Sequence, residues 1–235
     1  MDINLPVGNF KITTLAGQGE KALIVAGGRD PGIKWLQTVA ADEYLVWAAD
    51  HGADYCQTAG IKVSYLYGDK DSVNPANWEA LAANHPVIKT FPVAKNDTDL
   101  GLVLKDISPG SIILATGIWG GRADHLLANV FSLMGMKKKY GHAVLLADSS
   151  EIMLLLTQGE RASFTVADKM PHAVSLLPLE QSNKVSIDGV RWPLSRSELL
   201  LTHPYAISNV MKNKTMTVSC TKGSIGFYLN FKDGT

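Results

Sequence analysis

The chain has 235 residues, of which 46% are apolar, and this is enough for the core of one large or two small domains. Twenty-two basic and twenty-two acidic side chains cancel at pH 7, so no bulk field attracts nucleic acid or an anionic membrane. No signal peptide and no run of about 18 apolar residues is evident, and only two cysteines are present. These features favour a cytoplasmic protein that has no disulfide framework.

Short apolar runs alternate with helix-length segments in the first part of the chain. Each run is closed by turn-forming residues, which predicts strands at 21–26, 44–49, 63–67, 111–115 and 143–147. Helices are predicted at 35–41, 78–84, 98–106 and 124–136. Because strands that alternate with helices are typical of βαβ units, residues 1–147 are predicted to form an α/β domain with a mostly parallel sheet.

The pattern changes near Asp148. From there the apolar runs are shorter, contain Thr, Ser and Val, and are separated by turn pairs such as Gln158-Gly159 and Asp188-Gly189. No long amphipathic helix is evident. Residues 148–235 are therefore predicted to form an all-β antiparallel domain, a sandwich or a small barrel.

A series of aspartates marks the predicted ends of strands and the start of a helix: Asp50, Asp69, Asp71, Asp97 and Asp99. Side chains two positions apart in an extended backbone point to the same side, so Asp69 and Asp71 can share one cation if Gly68 ends a strand. Mg²⁺ prefers such oxygen ligands, often together with phosphates. The alternative is that these aspartates only form turns and cap helices. Since ligands of open parallel sheets bind beyond the carboxyl ends of the strands, Asp50, Asp69 and Gly117 are predicted to gather on one rim.

A glycine-rich segment, Gly117–His125, leads into the helix predicted at 124–136. The amides of Gly120 and Gly121 can approach an anion closely, and Arg122 offers a cationic fork for phosphate. The Walker A ending is absent and the spacing does not match the dinucleotide fingerprint. A tight structural turn therefore stays open as the alternative.

The first turn of that helix carries two further polar residues, Asp124 and His125. Asp124 is either a favourable first-turn acid or the ion-pair partner of Arg122. The imidazole of His125 can act as a general base. Phosphoryl transfer depends mainly on positioning and metal electrostatics, however, so a structural role for His125 stays open.

Together these motifs resemble the bacterial type of thiamine pyrophosphokinase. The matching segments occur here in the order of that family: 49–53 (ADHGA), 68–72 (GDKDS), 97–99 (DTD), 120–125 (GGRADH), 189–194 (GVRWPL) and 207–209 (ISN). No single motif is specific, but six in the same order are. This chain departs from the family at His51, where a glycine is usual, and at Lys70, where an aromatic residue is common.

The resemblance implies transfer of a pyrophosphoryl group from ATP to the hydroxyl of thiamine, with release of AMP. It implies a homodimer whose active sites lie near the interface, a nucleotide- and metal-binding domain, and a β-sandwich that contributes the thiamine pocket. The implied catalytic residues are Asp50, Asp69, Asp71 and Asp99, of which the last three hold Mg²⁺. The implied ATP-binding residues are Gly120, Gly121, Arg122, Asp124, His125, Asp97 and Thr98. The implied thiamine-binding residues are Ser208, Asn209, Trp192 and Phe227.

Two other classes of function remain compatible with the residues. A Mg²⁺-dependent phosphohydrolase on a similar scaffold would use the same carboxylates and phosphate loop. A non-catalytic sensor of thiamine or a nucleotide would keep the fold without needing so many carboxylates. No nucleic acid or membrane partner is expected in any of these cases.

Overall fold

The structure, a computed structural model, describes residues 1–13, 19–68, 72–91 and 98–231. These residues form two compact units. One unit comprises the described part of Met1–Leu15 and of Ser149–Thr235, and the other comprises the described part of Ala16–Asp148. Within the described ranges, no helix is long and apolar enough to cross a membrane.

The chain begins with a hairpin of two strands, β1 (Asp2–Leu5) and β2 (Gly8–Thr13). Strand β2 pairs antiparallel with Arg161–Val166 of the C-terminal region. Its Phe10 is completely buried, as its partner Phe164 is. The first strands therefore belong to the β unit, which corrects the expected division into 1–147 and 148–235. Long-range strand pairing, rather than position in the chain, decides this membership.

The α/β unit alternates strands and helices along the chain. Its elements are β3 (Lys21–Val25), α1 (Ile33–Ala40), β4 (Leu45–Ala49), α2 (Gly52–Ala59), β5 (Tyr65–Gly68), α3 (Pro75–Ala82), β6 (Val87–Thr90), α4 (Asp99–Asp106), β7 (Ile112–Thr116), α5 (Ala123–Tyr140) and β8 (Ala143–Ala147). The strand order is β8-β7-β3-β4-β5-β6, and every described pairing within it is parallel. The expectation of a mostly parallel sheet in an α/β unit is confirmed. The sequence patterns predicted neither α2 nor β6.

Strands β3, β7 and β8 are buried along nearly their whole length, which indicates that both faces of the sheet are covered there. All residues of β7 and β8 are buried, and β3 is buried after Lys21. Such unbroken apolar runs are typical of parallel strands between helix layers. Helix α1 shows how a covering helix is built, since Trp35, Leu36 and Val39 form one buried stripe at helical spacing.

The β unit continues after Asp148 with seven further strands. They are β9 (Glu151–Thr157), β10 (Arg161–Val166), β11 (Ala173–Pro178), β12 (Ser182–Asp188), β13 (Leu194–Leu200), β14 (Thr215–Lys222) and β15 (Ser224–Asn230). A six-stranded antiparallel sheet has the order β1-β2-β10-β14-β12-β13, and β11, β15 and β9 pair antiparallel in that order. The expectation of an antiparallel β region after residue 148 is confirmed.

An aromatic cluster joins the two layers of the β unit. Phe10 and Phe164 of the six-stranded sheet lie 4.8 Å apart between ring centroids. Phe227 of β15 meets the edge of the Phe10 ring at 6.2 Å, and Phe231 packs against Phe164 at the same distance. The core of this unit is therefore a sandwich interior filled from both sheets.

The far end of helix α4 is tied to the sheet through Asp106. This carboxylate accepts hydrogen bonds from the hydroxyl of Tyr67 and from Nζ of Lys89, both at 2.7 Å. Partial burial would raise the pKa of Asp106, but the hydrogen bonds from Lys89 and Tyr67 together outweigh it and lower the pKa. The tie links the C-terminal end of α4, the helix that begins at Asp99, to β5 and β6.

We expect Tyr67→Phe to lower the free energy of unfolding by about 1 kcal/mol at pH 7, because one hydrogen bond to a carboxylate that is partly exposed is lost. Since the pKa of Asp106 is depressed in the folded state, this stabilisation is present above the ordinary carboxyl pKa and is lost as the pH falls through the folded value. Urea unfolding at pH 7 and in acid measures both effects. Tyr65→Phe is the control in the same strand, and an equal loss in the two variants would contradict the assignment.

Candidate functional site

Two loops meet at the point where the strand order of the α/β unit reverses, between β3 and β7. The amide of Ala26 donates to Thr116 O at 2.9 Å, and the amide of Gly28 donates to Gly117 O at 2.6 Å. The amide of Arg29 then donates to Trp119 O at 2.6 Å. The two loops thus stay paired beyond the ends of their strands, at the place where open α/β sheets bind ligands.

Glycines make this pairing possible. A β-carbon on Gly117 would overlap the backbone oxygen of Ala26, and one on Gly28 would overlap the oxygen of Gly117. Gly117 also has a φ of +66°, in the left-handed region. Gly121 shares that φ value but has nothing within 4 Å of its would-be β-carbon. The backbone at Gly121 is therefore open to a ligand, whereas Gly117 is needed for packing.

Asp50 lies at the carboxyl end of β4 in a left-handed conformation, with a φ of +49°. Its amide donates to Tyr67 O at 3.0 Å. Its Oδ1 lies 2.9 Å from the position that a β-carbon on Gly68 would take. The carboxylate therefore lies beside the glycine that precedes Asp69 and Asp71, two residues outside the described part of the chain. Asp50 follows β4 and Gly117 follows β7, so both lie at the carboxyl ends of parallel strands. This agrees with the prediction that they lie on one rim of the sheet.

His51 fits the turn where the related family carries a glycine. Its φ is −56°, an ordinary helical value that any residue adopts. The close approach is made by Gly52, because a β-carbon there would overlap the backbone oxygen of Val25. The left-handed position is Asp50. The departure at His51 therefore leaves the turn intact.

A small polar network holds the start of α2 beside the β3 loop. Nδ1 of His51 lies 2.8 Å from Oδ2 of Asp54, and Asp54 also accepts a hydrogen bond from Nδ2 of Asn77 at 2.7 Å. The hydroxyl of Tyr55 donates to Gly28 O at 2.7 Å. Helix α2 is thus connected to α3 through Asp54 and to the loop after β3 through Tyr55. The sequence motifs did not single out these two side chains.

Helix α4 begins at Asp99 and is capped by Thr98, whose hydroxyl accepts a hydrogen bond from the amide of Gly101 at 3.1 Å. This argues against the alternative in which Asp99 serves as the cap. Asp99 is instead the first residue of the helix, where negative charge is favourable. Asp97 lies outside the described residues. Because Thr98 performs the capping, capping is not a sufficient explanation for Asp99.

Arg122 and Asp124 form an exposed ion pair at the start of α5. Nε and Nη2 of Arg122 reach the two carboxylate oxygens of Asp124 at 3.1 and 2.6 Å. The hydrogen bond from Arg122 holds the pKa of Asp124 below its usual range. His125 is exposed in the same turn. Asp124 is therefore the partner of Arg122, one of the two roles that the sequence left open.

Arg29 is a cation at this rim that the motif analysis missed. Its Nε and Nη2 contact Oδ2 of Asp148 at 2.9 and 2.5 Å, and the side chain of Asp148 is almost completely buried. This pair connects the loop after β3 to the end of β8. The sequence offered a signal for this cation, because the segment Gly28-Arg29-Asp30 lies just after the strand predicted at 21–26.

The oxygen donors at the rim fit a hard cation such as Mg²⁺. Asp50 and Asp99 are carboxylates at the carboxyl end of β4 and at the start of α4, and α4 packs against β4 and β5. Among the described residues there is no group of three or more His, Cys, Asp or Glu side chains that would hold a metal ion. Two of the three expected ligands, Asp69 and Asp71, lie outside those residues.

The β unit has a cavity of about 120 Å³ beside Trp192. Tyr205, Ile207 and Leu194 line it together with Asn209. Since an apolar cavity of about 150 Å³ holds one benzene molecule, this smaller space has room for part of a ligand, up to about one aromatic ring. A larger groove of about 480 Å³ adjoins this cavity, since Ile187 and Leu194 line both. Hydroxyl side chains such as Ser186, Thr217 and Ser219 line much of the groove, which suits a flat heteroaromatic less well.

Two of the four expected thiamine-binding residues, Trp192 and Asn209, line this cavity, and Ser208 precedes Asn209 in the chain without lining it. Trp192 is 55% exposed, and Ser208 is exposed with a φ of +56°. Phe227 does not join them. Its ring is completely buried against Phe10 in the sandwich core. The expectation that Phe227 packs on a ligand is therefore corrected, because its aromatic ring is a core side chain.

Comparison with known proteins matches both units of the chain to domains of the same protein family. Residues 36–145 match the model of the thiamin pyrophosphokinase catalytic domain, and residues 163–225 match that of the thiamin pyrophosphokinase vitamin B1 binding domain. Thiamine pyrophosphokinase of Bacillus subtilis (strain 168) is 30% identical over 205 residues, which cover 85% of this chain and 94% of that protein. The chain belongs to the thiamine pyrophosphokinase family. The resemblance inferred from six motifs is confirmed.

Solved structures agree with this family membership. The thiamine pyrophosphokinase of Bacillus subtilis superposes with a TM-score of 0.78 at 26% identity, and the match covers 91% of this chain and all of that one. A thiamin pyrophosphokinase family protein of Enterococcus faecalis has the same fold, with a TM-score of 0.73 at 20% identity over 92% of this chain and all of that one.

The matched ranges also separate the candidate residues. The range of the catalytic domain contains Asp50, Asp99 and the loop at 117–125. The range of the vitamin B1 binding domain contains Trp192 and Asn209, but it ends before Phe227. Phe227, whose ring is buried, is therefore also the one thiamine-binding candidate of this thiamine pyrophosphokinase family member that lies outside the matched ranges.

We expect Gly117→Ala to destabilise the protein by about 2 kcal/mol more than Gly60→Ala, by the usual cost of overpacking. Gly60 has a nearly equal φ of +64° but nothing within 4 Å of its would-be β-carbon, so only left-handed strain of about 1 kcal/mol applies there. Urea unfolding of both variants measures the difference. Equal losses would mean that the close packing of the β3 and β7 loops does not matter.

Proposed function

We propose that this protein transfers a pyrophosphoryl group from ATP to thiamine and releases AMP and thiamine diphosphate. The observation that carries the proposal is the match of successive parts of one chain to the catalytic domain and to the vitamin B1 binding domain of thiamin pyrophosphokinase. The relative from Bacillus subtilis, which matches over most of both chains, supports it. The proposed products follow from this family membership.

In this proposal the α/β unit binds ATP at the carboxyl ends of its strands. The amides of Gly120 and Gly121 and the guanidinium of Arg122 approach the phosphates, and the open space at Gly121 supports this role. Arg122 would exchange Asp124 for phosphate, a change that its exposed position allows. His125 follows on the exposed start of α5, and Asp97 and Thr98 complete the proposed ATP-binding set.

Asp69, Asp71 and Asp99 are the residues that would hold Mg²⁺, with Asp50 beside them. The bound ion would neutralise phosphate charge as the transferred group moves. Asp50 supports this arrangement, since its carboxylate lies against Gly68 at the start of the segment that carries Asp69 and Asp71.

The proposed chemistry is a single displacement at phosphorus. The thiamine hydroxyl oxygen forms a bond to the β-phosphorus, and the bond from that phosphorus to the oxygen bridging to the α-phosphate breaks, so that AMP leaves with the bonding electrons. The hydroxyl proton goes to a carboxylate of the aspartate set. The protein contributes mainly by positioning the groups and by fixed electrostatics.

Thiamine recognition is proposed for the β unit, at the cavity beside Trp192. A flat cationic heteroaromatic needs an apolar face and polar edge contacts. Trp192 offers an exposed indole at the cavity, and Ser208, which is exposed and precedes Asn209, is proposed to supply a polar contact. Hydrolysis by water would need no such second organic pocket, which argues against the phosphohydrolase alternative.

We also propose a homodimer and a cytoplasmic location. Leu127 and Phe131 lie one turn apart on α5 and are 57% and 54% exposed, a pair of large apolar side chains that a second copy can cover. The two thiols, Cys56 and Cys220, are buried and form no disulfide, which suits a reducing compartment.

We expect AMP and thiamine diphosphate to form in equal amounts, only when ATP, Mg²⁺ and thiamine are all present. Chromatographic quantification of the nucleotides and of thiamine diphosphate over time tests this. ADP or free phosphate formed without thiamine would indicate a phosphohydrolase. Thiamine binding without any turnover would indicate a sensor.

We expect Asp99→Asn to lower kcat about a hundredfold or more, comparable to the loss of a preorganised electrostatic group, and Asp71→Asn to act alike. The amide keeps the shape of the side chain but removes its charge. Asp42→Asn is the matched control, because Asp42 forms a surface ion pair with Lys21 away from the rim. Near-normal turnover of the first two variants at saturating Mg²⁺ would show that these aspartates only form turns and helix ends.

A further inference from the structure

The side-chain amide of Asn209 holds the backbone of Trp192. Its Oδ1 accepts a hydrogen bond from the amide of Trp192 at 3.1 Å, and its Nδ2 donates to the carbonyl oxygen of Trp192 at 2.7 Å. Oδ1 also accepts from the amide of Val210 at 2.8 Å. Both ends of the asparagine amide are therefore engaged, and both backbone groups of one residue are bound by a single side chain.

The backbone on both sides of this clamp is itself fixed. Asn209 exchanges two hydrogen bonds with Val174 of β11, at 2.8 and 2.9 Å. The amide of Arg191 donates to Val210 O at 2.8 Å, next to the clamp. The asparagine therefore extends from a paired strand segment, and its amide has a defined direction toward the loop that carries Trp192.

The indole of Trp192 needs such a clamp because the protein core does not hold it. It is 55% exposed, whereas the other four tryptophans are at most 6% exposed. The guanidinium of Arg191 lies 4.9 Å from the centre of its ring. A ring that is more than half exposed takes its direction mainly from the backbone that carries it. That backbone is held by Asn209, at the edge of the cavity of about 120 Å³.

We propose that Asn209 is a positioning residue that does not touch thiamine but fixes Trp192 as a preorganised stacking surface at the cavity. This inference rests on the proposed function for the identity of the ligand. A rigid surface binds a flat ring more tightly because less conformational freedom is lost on binding. Asn209 and Trp192 then act as one unit, and removal of either removes the same contribution to thiamine affinity.

A double-mutant cycle on thiamine binding tests this coupling. Calorimetry on Asn209→Ala, Trp192→Ala and the double variant gives three affinities relative to the unchanged protein. We expect each single change to weaken binding about tenfold, and the double change to weaken it no more than Trp192→Ala alone. Two effects that multiply, to about a hundredfold in the double variant, would overturn the inference, because Asn209 would then act independently of Trp192. No loss of affinity in Asn209→Ala would also overturn it.

Fluorescence provides a second readout that needs no thiamine. Trp192 is the only exposed tryptophan, so quenching by acrylamide reports on it, and Trp192→Phe supplies the background. We expect Asn209→Ala to raise the quenching constant of Trp192 and Asn209→Asp to raise it less, since the carboxylate keeps the acceptor. Asn213→Ala, a change of an exposed asparagine nearby, should leave it unchanged. Unchanged quenching in Asn209→Ala would overturn the inference.

The two readouts separate failure of the inference from failure of the proposed function. If the unchanged protein does not bind thiamine but Asn209→Ala alters quenching as expected, the proposed function is wrong and the clamp stands. Circular dichroism and thermal melting check that each variant is folded. If Asn209→Ala does not fold, Asn209→Asp replaces it in both the affinity and the quenching measurements. We then expect Asn209→Asp to lower thiamine affinity in the unchanged protein but not in the Trp192→Ala variant.

Discussion

The close contact between the loops after β3 and β7 is the constraint on which the α/β unit depends. Three backbone hydrogen bonds continue the pairing of these strands beyond their ends, and there is no room for a β-carbon on Gly28 or Gly117. Because the strand order reverses at this place, the contact lies where open α/β sheets bind ligands. Gly121, which faces open space, is left available for an anion.

Other positions at this rim have specific backbone conformations. Asp50 adopts a left-handed conformation beside Gly68, and Gly52 allows the following helix to approach β3. These two positions explain how His51 is accommodated where the family usually has a glycine. The cap of α4 is Thr98, so the charge of Asp99 is not needed to start the helix. Capping therefore does not account for the aspartate at position 99.

In the β unit, burial separates two aromatic residues that the sequence could not distinguish. Phe227 fills the sandwich interior against Phe10, whereas Trp192 lies exposed at a cavity with its backbone held by Asn209. A side chain completely inside the core can stabilise the fold but cannot stack on a ligand. The candidate aromatic surface for thiamine is therefore Trp192, and Asn209 defines its position.

The sequence by itself determined most of the alternation of strands and helices between residues 21 and 148, although not α2 and β6, and it determined the change to antiparallel strands after Asp148 and the family. It could do so because buried parallel strands are local apolar runs and the six motifs keep their order. The strands at the start of the chain were not predicted, although Ile3 and Leu5, and Phe10 and Ile12, are apolar residues two positions apart. Only the tertiary structure decided that β2 pairs with β10, that Phe227 is buried, and that the amide of Asn209 binds the backbone of Trp192. These outcomes depend on contacts between residues far apart in the chain, which no local pattern specifies.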